Sequence, residues 1–438
     1  MRQMKDSGVK WIENIPSDWT IVPLKWIVKF GKGLPITKDN LVEQGVPVVS
    51  YGQIHSKTNS GTHLGKDLMR FVNEKYLQSN PSSLGKKGDI FFADTSEDYA
   101  GVGNAVLVDG DEPVFAGYHT VIVRPIDLLY SKYLAYLFLT DAWRSQLCSR
   151  VSGIKVFSVT QGLLKETSVI LPPTEKIATM TDYLDRKCAE IDAIIAKQQQ
   201  IIEKLKEYKL SVITEAVTKG LDPNVPMKDS GVEWIGKVPE NWQLSHIGNL
   251  VEMGSGGTPD RKKTEYWENG NIPWMSSGEI NNEYIYSTIE QITELGLQNS
   301  NAKILPVNTV MLGLIGQGKT KGLAAILKNE VCCNQNLAYL IADEKFLHYR
   351  YLFYCFKAMY FYMRGLVGES QAGIYSYFLK KLYIPLPDTE RQIKISDYLD
   401  AKCKAIKTTI AVRESIIERF TDYKRTLIYE IVTGKREV

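Results

Sequence analysis

The sequence predicts an α/β protein: two pseudo-repeated mixed α/β domains separated by a pair of long antiparallel coiled-coil helices. Three observations carry that expectation. An amino-terminal segment returns in the middle of the chain, two long runs place apolar residues at alternating three and four spacing, and short β-patterned runs fill the blocks between them. At 438 residues the chain is too long for one compact core, which already points to two domains or a repeated unit.

The repeat comes first in the chain. Met4-Lys5-Asp6-Ser7-Gly8-Val9-Lys10-Trp11-Ile12 returns as Met227-Lys228-Asp229-Ser230-Gly231-Val232-Glu233-Trp234-Ile235, an offset of 223, and Pro16 to Trp19 returns as Pro239 to Trp242. A second match, at an offset of 215, sets Leu171 to Glu175 against Leu386 to Glu390, then Asp182 to Asp185 against Asp397 to Asp400, and runs without a gap to Val217 and Val432. The blocks between these flanks, about Ile21 to Ile170 and Leu244 to Pro385, differ greatly. A chain that keeps its frame while its inserts vary presents two different surfaces on one scaffold; the plainer alternative is a duplication whose blocks drifted without purpose.

Each block reads mostly as β-structure. Runs at 46–51, 89–93, 104–108 and 119–123 in the first, and at 272–276, 309–312, 323–327 and 337–341 in the second, are short, apolar and bounded by Gly, Asp or Asn. Aromatic-rich helices are expected from Lys132 to Leu147 and from His348 to Met363.

The long helices start after Pro172-Pro173 and Pro387, at Thr174-Glu175 and Thr389-Glu390. Leu184, Cys188, Ile191, Ile195, Ile202, Leu205, Val212 and Ala216 form one seam; Leu399, Cys403, Ile406, Ile410, Ile417, Phe420, Leu427 and Ile431 form the other. Roughly forty residues make a rod of about 60 Å. Each apolar stripe must be buried, most economically against the other. Antiparallel pairing is preferred because it creates an internal pseudo-twofold, although the pattern also admits a parallel pair. The expected division is 1–170, lead-in and first recognition block; 171–220, first long helix; 221–385, second lead-in and block; 386–438, second long helix.

Composition excludes several classes. Hydrophobic residues make up 44% and charged residues 24%, with a net charge of +3, so this is an ordinary globular chain in which any nucleic-acid surface must be local. The polar amino end and the lack of a long apolar run imply a cytoplasmic protein with no membrane partner. The six cysteines lack metal-type spacing and are expected as buried thiols.

Gly313 to Thr320 fits the phosphate-binding pattern GxxxxGK[ST], which would make the chain a P-loop nucleotide hydrolase. That chemistry requires a helix directly after the lysine; here Gly322 and a β-patterned run follow. A Gly-rich hairpin tip exposing Gln317, Lys319 and Lys321 is the preferred reading. No other catalytic constellation is present in the sequence, so no enzymatic site, metal or cofactor is expected.

The loops offer polar and basic chemistry instead. Lys32, Lys38, Lys57, Arg261, Lys262, Lys319 and Lys321 suit phosphates, while Gln53, His55, Asn104, Ser276, Glu279, Gln317 and Gln371 carry donors and acceptors that read base edges. Two unlike surfaces on one rod suit an asymmetric bipartite DNA site. A two-headed scaffold joining proteins is the competing reading.

The lead-in Lys228 to Trp242, the joint Ile384-Pro385-Leu386-Pro387 before a long helix, the loop Gly254-Ser255-Gly256-Gly257-Thr258-Pro259 and the stretch Gln371-Ala372-Gly373-Ile374 resemble the DNA-specificity subunit of a type I restriction-modification enzyme, over essentially the whole chain. The resemblance implies two target recognition domains that each read half of a split site in double-stranded DNA. It adds Ser255 and Thr258 to the candidate contacts. It further implies docking of two modification (methyltransferase) subunits, which bring S-adenosylmethionine and methylate adenine, and of motor-nuclease restriction subunits that use ATP and magnesium, with none of these cofactors held by this chain.

Overall fold

A computed structural model describes residues 3–151, 156–315, 320–367 and 373–438. The chain forms two compact units, Met1–Gln198 with Ser415–Val438, and Gln199–Glu414. Both expected long helices are present, Thr174–Lys219 of 46 residues and Thr389–Val432 of 44, and each contributes a segment to both units.

In the first unit the lead-in folds into a hairpin, Met4–Val9 against Ile12–Pro16. A four-stranded antiparallel sheet has the order Ala105–Leu107, Ile90–Ala93, Thr120–Pro125, Val28–Lys32. A second sheet runs Leu41–Val42, Arg70–Val72, Val46–Val49, Val114–Ala116, Leu84–Gly85, with Val114–Ala116 parallel to Val46–Val49. The strands expected from sequence are all found, because each couples a fully buried apolar face to a Gly, Asp or Asn boundary. The helix expected from Lys132 to Leu147 is two, Leu129–Phe138 and Asp141–Cys148. Thr140 divides them: its hydroxyl accepts the Trp143 amide at 3.3 Å and so caps the second helix.

The second unit repeats this plan. Its strand order Val251–Ser255, Leu337–Ala342, Val310–Gly313, Ala324–Leu327 retraces the four-stranded sheet. Glu290–Ile292, Ile272–Met275 and Cys332–Cys333 retrace the centre of the other, again with one parallel pair. Val310–Gly313 and Ala324–Leu327 pair antiparallel, so the segment matching the phosphate-binding pattern leads into a strand, and the helix that nucleotide binding needs is missing there. Tyr349–Ala358 and Tyr360–Val367 replace the single helix expected from His348, with a break at Met359.

Within each unit the two long-helix segments lie antiparallel. In the first, Leu184, Cys188 and Ile191 share a core with Leu427, Ile428 and Ile431, and Lys424 pairs with Asp192 at 2.6 Å. In the second, Val212, Ala216 and Val217 share a core with Ile395, Leu399 and Cys403. Each helix stops at a left-handed glycine, Gly220 with φ +79° and Gly434 with φ +71°, the conformation that Gly alone adopts without cost. Trp242 packs on Gly220 and Trp19 on Gly434. Each lead-in thus closes the end of the helix that lies beside it.

Five cysteines are buried as expected; Cys148 is half-exposed, on the last turn of its short helix. No helix among the described residues is long and apolar enough to cross a membrane.

Candidate nucleic-acid interface

Local sequence decides which of the expected contact residues keep a free side chain. Ser50 and Ser276 each open a short helical turn with Gln or Glu three residues later, the capping-box pattern. Gln53 Oε1 accepts the Ser50 amide at 3.2 Å. Glu279 accepts the Ser276 amide at 2.7 Å and hydroxyl at 3.0 Å, and its other oxygen accepts the Ile289 amide at 2.9 Å. Glu279 is only 8% exposed. Gln53, Ser276 and Glu279 are therefore engaged in shaping two equivalent turns, since an acceptor satisfied internally has little left to offer a base edge.

His55 and Asn104 are similarly committed. The ring bonds the Thr95 carbonyl through Nε2 at 2.8 Å and Asn104 Nδ2 through Nδ1 at 2.9 Å. Arg144 donates to Asn104 Oδ1. This chain of three side chains ties the loop after Ile90–Ala93 to the short helix Tyr51–Ile54.

Arg261 sits in an aromatic and acidic cradle. Its guanidinium forks onto Glu290, with one contact at 2.9 Å, and lies 3.8 Å from the ring centre of Trp267 and 4.9 Å from that of Trp274. The Glu290 hydrogen bonds raise its pKa further. Planar Arg matches both partners at once, as Lys would not. Lys321, expected at an exposed tip, is buried at 7% exposure: the chain turns at Gly322 and packs it inward. Thr258 donates its hydroxyl to Gln335 Oε1 at 2.5 Å.

Lys32, Lys38, Lys57, Ser255 and Lys262 remain exposed. Lys32 and Ser255 end the equivalent edge strands Val28–Lys32 and Val251–Ser255. Lys38 opens a turn capped by Thr37 and Asn40. Gln317, Lys319 and Gln371 lie outside the described residues.

Lys32 also borders an open cleft of about 450 Å³ in the first unit, with Asp94, His119, Ser158, Thr160 and Gln161 on its walls. His119 carries φ +55°, and its Nδ1 lies 3.2 Å from Asp94 Oδ1. Sequence reasoning passed over it because a lone histidine before a strand carries no signal; its backbone conformation and its distant carboxylate are visible only in the fold.

In the second unit Lys209, Lys357 and Lys407 converge on Glu283. Burial alone would raise that carboxyl, but the three ammonium groups outweigh it and hold it at about 2. Burial lowers Lys357 even beside its partner.

The sequence model of the family described as Type I restriction modification DNA specificity domain matches residues 16–215 and 239–416. The chain is 33% identical over 171 residues to the type I restriction enzyme MjaIX specificity subunit of Methanocaldococcus jannaschii, 38% of each chain. To the EcoR124I/EcoR124II specificity subunit of Escherichia coli it is 25% identical over 215 residues. The chain thus spans 38% and 50% of the length of these two relatives. To the MjaVIII specificity subunit of M. jannaschii it is 22% identical over 442 residues, covering 97% of this chain and 94% of that one. Among solved structures, the HsdS subunit from Thermoanaerobacter tengcongensis shares the fold with a TM-score of 0.52 at 16% identity, over 98% of this chain and all of that one. A chain from a structure titled for complex assembly and conformational transition of the type I R-M system reaches 0.73 at 16% identity, over 96% and 99% of the two chains.

Proposed function

From the premise that this chain belongs to the type I restriction-modification DNA specificity family, we propose that it is a noncatalytic cytoplasmic subunit that reads a split, asymmetric site in double-stranded DNA. One half is read by each unit. Two modification subunits and the motor-nuclease subunits dock on it and supply adenine methylation and ATP-dependent restriction, with their own cofactors. The observation that carries this reading is the repetition of one strand order in two blocks whose loops carry different side chains. A duplicated scaffold with unlike loops suits two different half-sites, whereas identical halves would serve a palindrome.

In this reading Lys32, Lys38, Lys57 and Lys262 neutralise phosphates and Ser255 contacts the backbone. Gln317, Lys319 and Gln371 stay in the contact set on sequence grounds. Gln53, His55, Asn104, Ser276 and Glu279 position the loops, and Arg261 holds one loop while its exposed edge meets a phosphate. The two long helices act as the ruler for the unread spacer.

Methylome sequencing of a host that carries this chain with its modification partner tests the proposal. One asymmetric motif with a fixed internal gap and a methylated adenine in each half is expected. A palindromic or uninterrupted motif, or no motif while the partner is demonstrably active, would overturn it.

A further inference from the structure

The two blocks can be superposed by register alone. Val121 pairs with Lys32 and Ala338 with Ser255; Ala116 pairs with Val49 and Cys333 with Met275. Between these anchors lies the same link in both units, with a two-residue turn, Tyr118-His119 in the first and Gln335-Asn336 in the second. The backbone bonds agree: the carbonyls of His119 and Asn336 accept the amides of Asp94 at 3.0 Å and Leu314 at 2.9 Å. Each turn is pinned beside its sheet; its most exposed polar side chain is His119 in the first, at the second turn position with φ +55°, and Gln335 in the second, at the first turn position, where Tyr118 stands in the other unit.

We propose that this duplicated turn is the base-discriminating element of each unit, with His119 presenting a hydrogen-bond acceptor and Gln335 presenting donors. The assignment rests on the DNA-reading function proposed above. Its chemistry follows from the neighbours. A carboxylate can only accept, so Asp94 Oδ1, 3.2 Å from Nδ1 and already accepting from Thr95 Oγ1 at 2.7 Å, keeps the His119 proton on Nδ1. In the neutral ring Nε2 is then a lone-pair acceptor. The side chain is 58% exposed on the wall of the open cleft, beside Lys32, Ser158, Thr160 and Gln161. An outward acceptor recognises a base amino group, that of adenine or cytosine.

The second unit reverses the polarity. Thr258 donates to Gln335 Oε1, which orients the amide and leaves its NH₂ group outward. Donors recognise the ring nitrogen or carbonyl of a purine, or the carbonyl of thymine. One link, built twice, thus presents unlike hydrogen-bonding character from adjacent turn positions, which suits unlike half-sites.

The purified full-length chain, challenged with a pool of randomised-sequence duplexes, tests this by sequencing the bound fraction. His119→Asn keeps the left-handed backbone, which Asn tolerates, and removes the imidazole. It is expected to relax discrimination at one position of one half-site by on the order of tenfold. Gln335→Met should relax one position of the other half and nothing else. Asp94→Asn replaces a group that can only accept by an amide that can accept or donate, so the His119 proton is no longer fixed on Nδ1, and discrimination should relax at that same first position while the other half is unchanged. Unchanged enrichment in all three variants would overturn the assignment, as would equal loss at both halves with an unchanged melting temperature. If the unaltered chain enriches no sequence, the DNA-reading function itself falls, and this assignment with it.

Discussion

The Tyr133 hydroxyl lies 2.9 Å from the carbonyl oxygen of Val432, the last residue of the second long helix, and 2.8 Å from that of Ile170. Tyr351 repeats this in the other unit, 2.9 Å from Val217 O and 3.1 Å from Pro385 O. A helix end leaves carbonyls without intrahelical partners, and a fully buried tyrosine supplies one proton to such a group in each unit. Tyr133→Phe and Tyr351→Phe leave those carbonyls buried and underpaired. Each is expected to lower stability by about 1–2 kcal/mol, read as a lower urea midpoint with an unchanged denaturant slope.

Lys424 and Asp192 pair in the first unit; at the same offset of 215 the second has Lys209 and Lys407, two cations. Glu283, from the recognition block, supplies the carboxylate that position lacks. Glu283→Gln leaves three ammonium groups crowded without a counter-charge. It should cost about 2–3 kcal/mol, toward the lower end for breaking a buried pair because Glu283 is 24% exposed. Asp192→Asn, at a pair whose carboxylate is 54% exposed, should cost less than about 1 kcal/mol. Thermal melts of the two variants side by side check the contrast.

Acid should strike the same place. Glu283 is held at about 2 in the fold, below its unfolded value near 4.5, so the unfolded chain takes up the proton first. The stabilisation is complete above about pH 4.5 and is lost as pH falls toward about 2. Burial of Lys357 offsets part of the gain without changing its direction. The difference in stability between Glu283→Gln and the unaltered chain should therefore shrink across that window, as followed by urea unfolding at stepped pH.

Neighbouring cations should behave differently. Lys262 is exposed, whereas Arg261 is clamped by Glu290 over two tryptophans. Lys262→Ala should leave stability unchanged and reduce the slope of log binding constant against log salt by about 1. Arg261→Ala should also weaken binding, but it should destabilise the fold by about 1 kcal/mol through the lost stacking and fork. DNA binding across a salt series, with a melt of each variant, separates the two.

How much of this was legible in the sequence depends on the range over which the signal acts. The long helices were, because Leu184, Cys188 and Ile191 state their period locally and Gly220 states their end. The lead-ins were visible as repeats, but their partner was not: Trp19 rests on Gly434, and nothing near either residue says so. In the site, Ser50 with Gln53 and Ser276 with Glu279 have the spacing of capping boxes, yet the polar groups of Gln53, Ser276 and Glu279 suit base edges equally well in sequence, where only the partner that each meets in the fold decides. Arg261 with Glu290 and His119 with Asp94 are long-range pairings that no local pattern announces. Lys321 shows the limit of composition: a lysine among glycines reads as exposed, and the turn at Gly322 folds it in.

On the proposed reading of a split site, the helix pair sets the spacing of its halves, and lengthening that pair is the sharpest test of it. A seven-residue insertion preserves the apolar seam, since seven residues nearly complete two helical turns. Made at Gln198 in the first long helix and at Glu414 in the second, where the chain passes between its two units, matched insertions keep the antiparallel register. Each lengthens its helix by about 10.5 Å, which on a duplex rising 3.4 Å per base pair is about three base pairs. The expected outcome is a methylated motif with both half-sites unchanged and a gap wider by about three. An insertion in one helix alone misaligns the seam and should lower the melting temperature instead. Altered half-sites with an unaltered gap would show that the spacer is set elsewhere, because lengthening a ruler moves its marks apart without changing what is written at them.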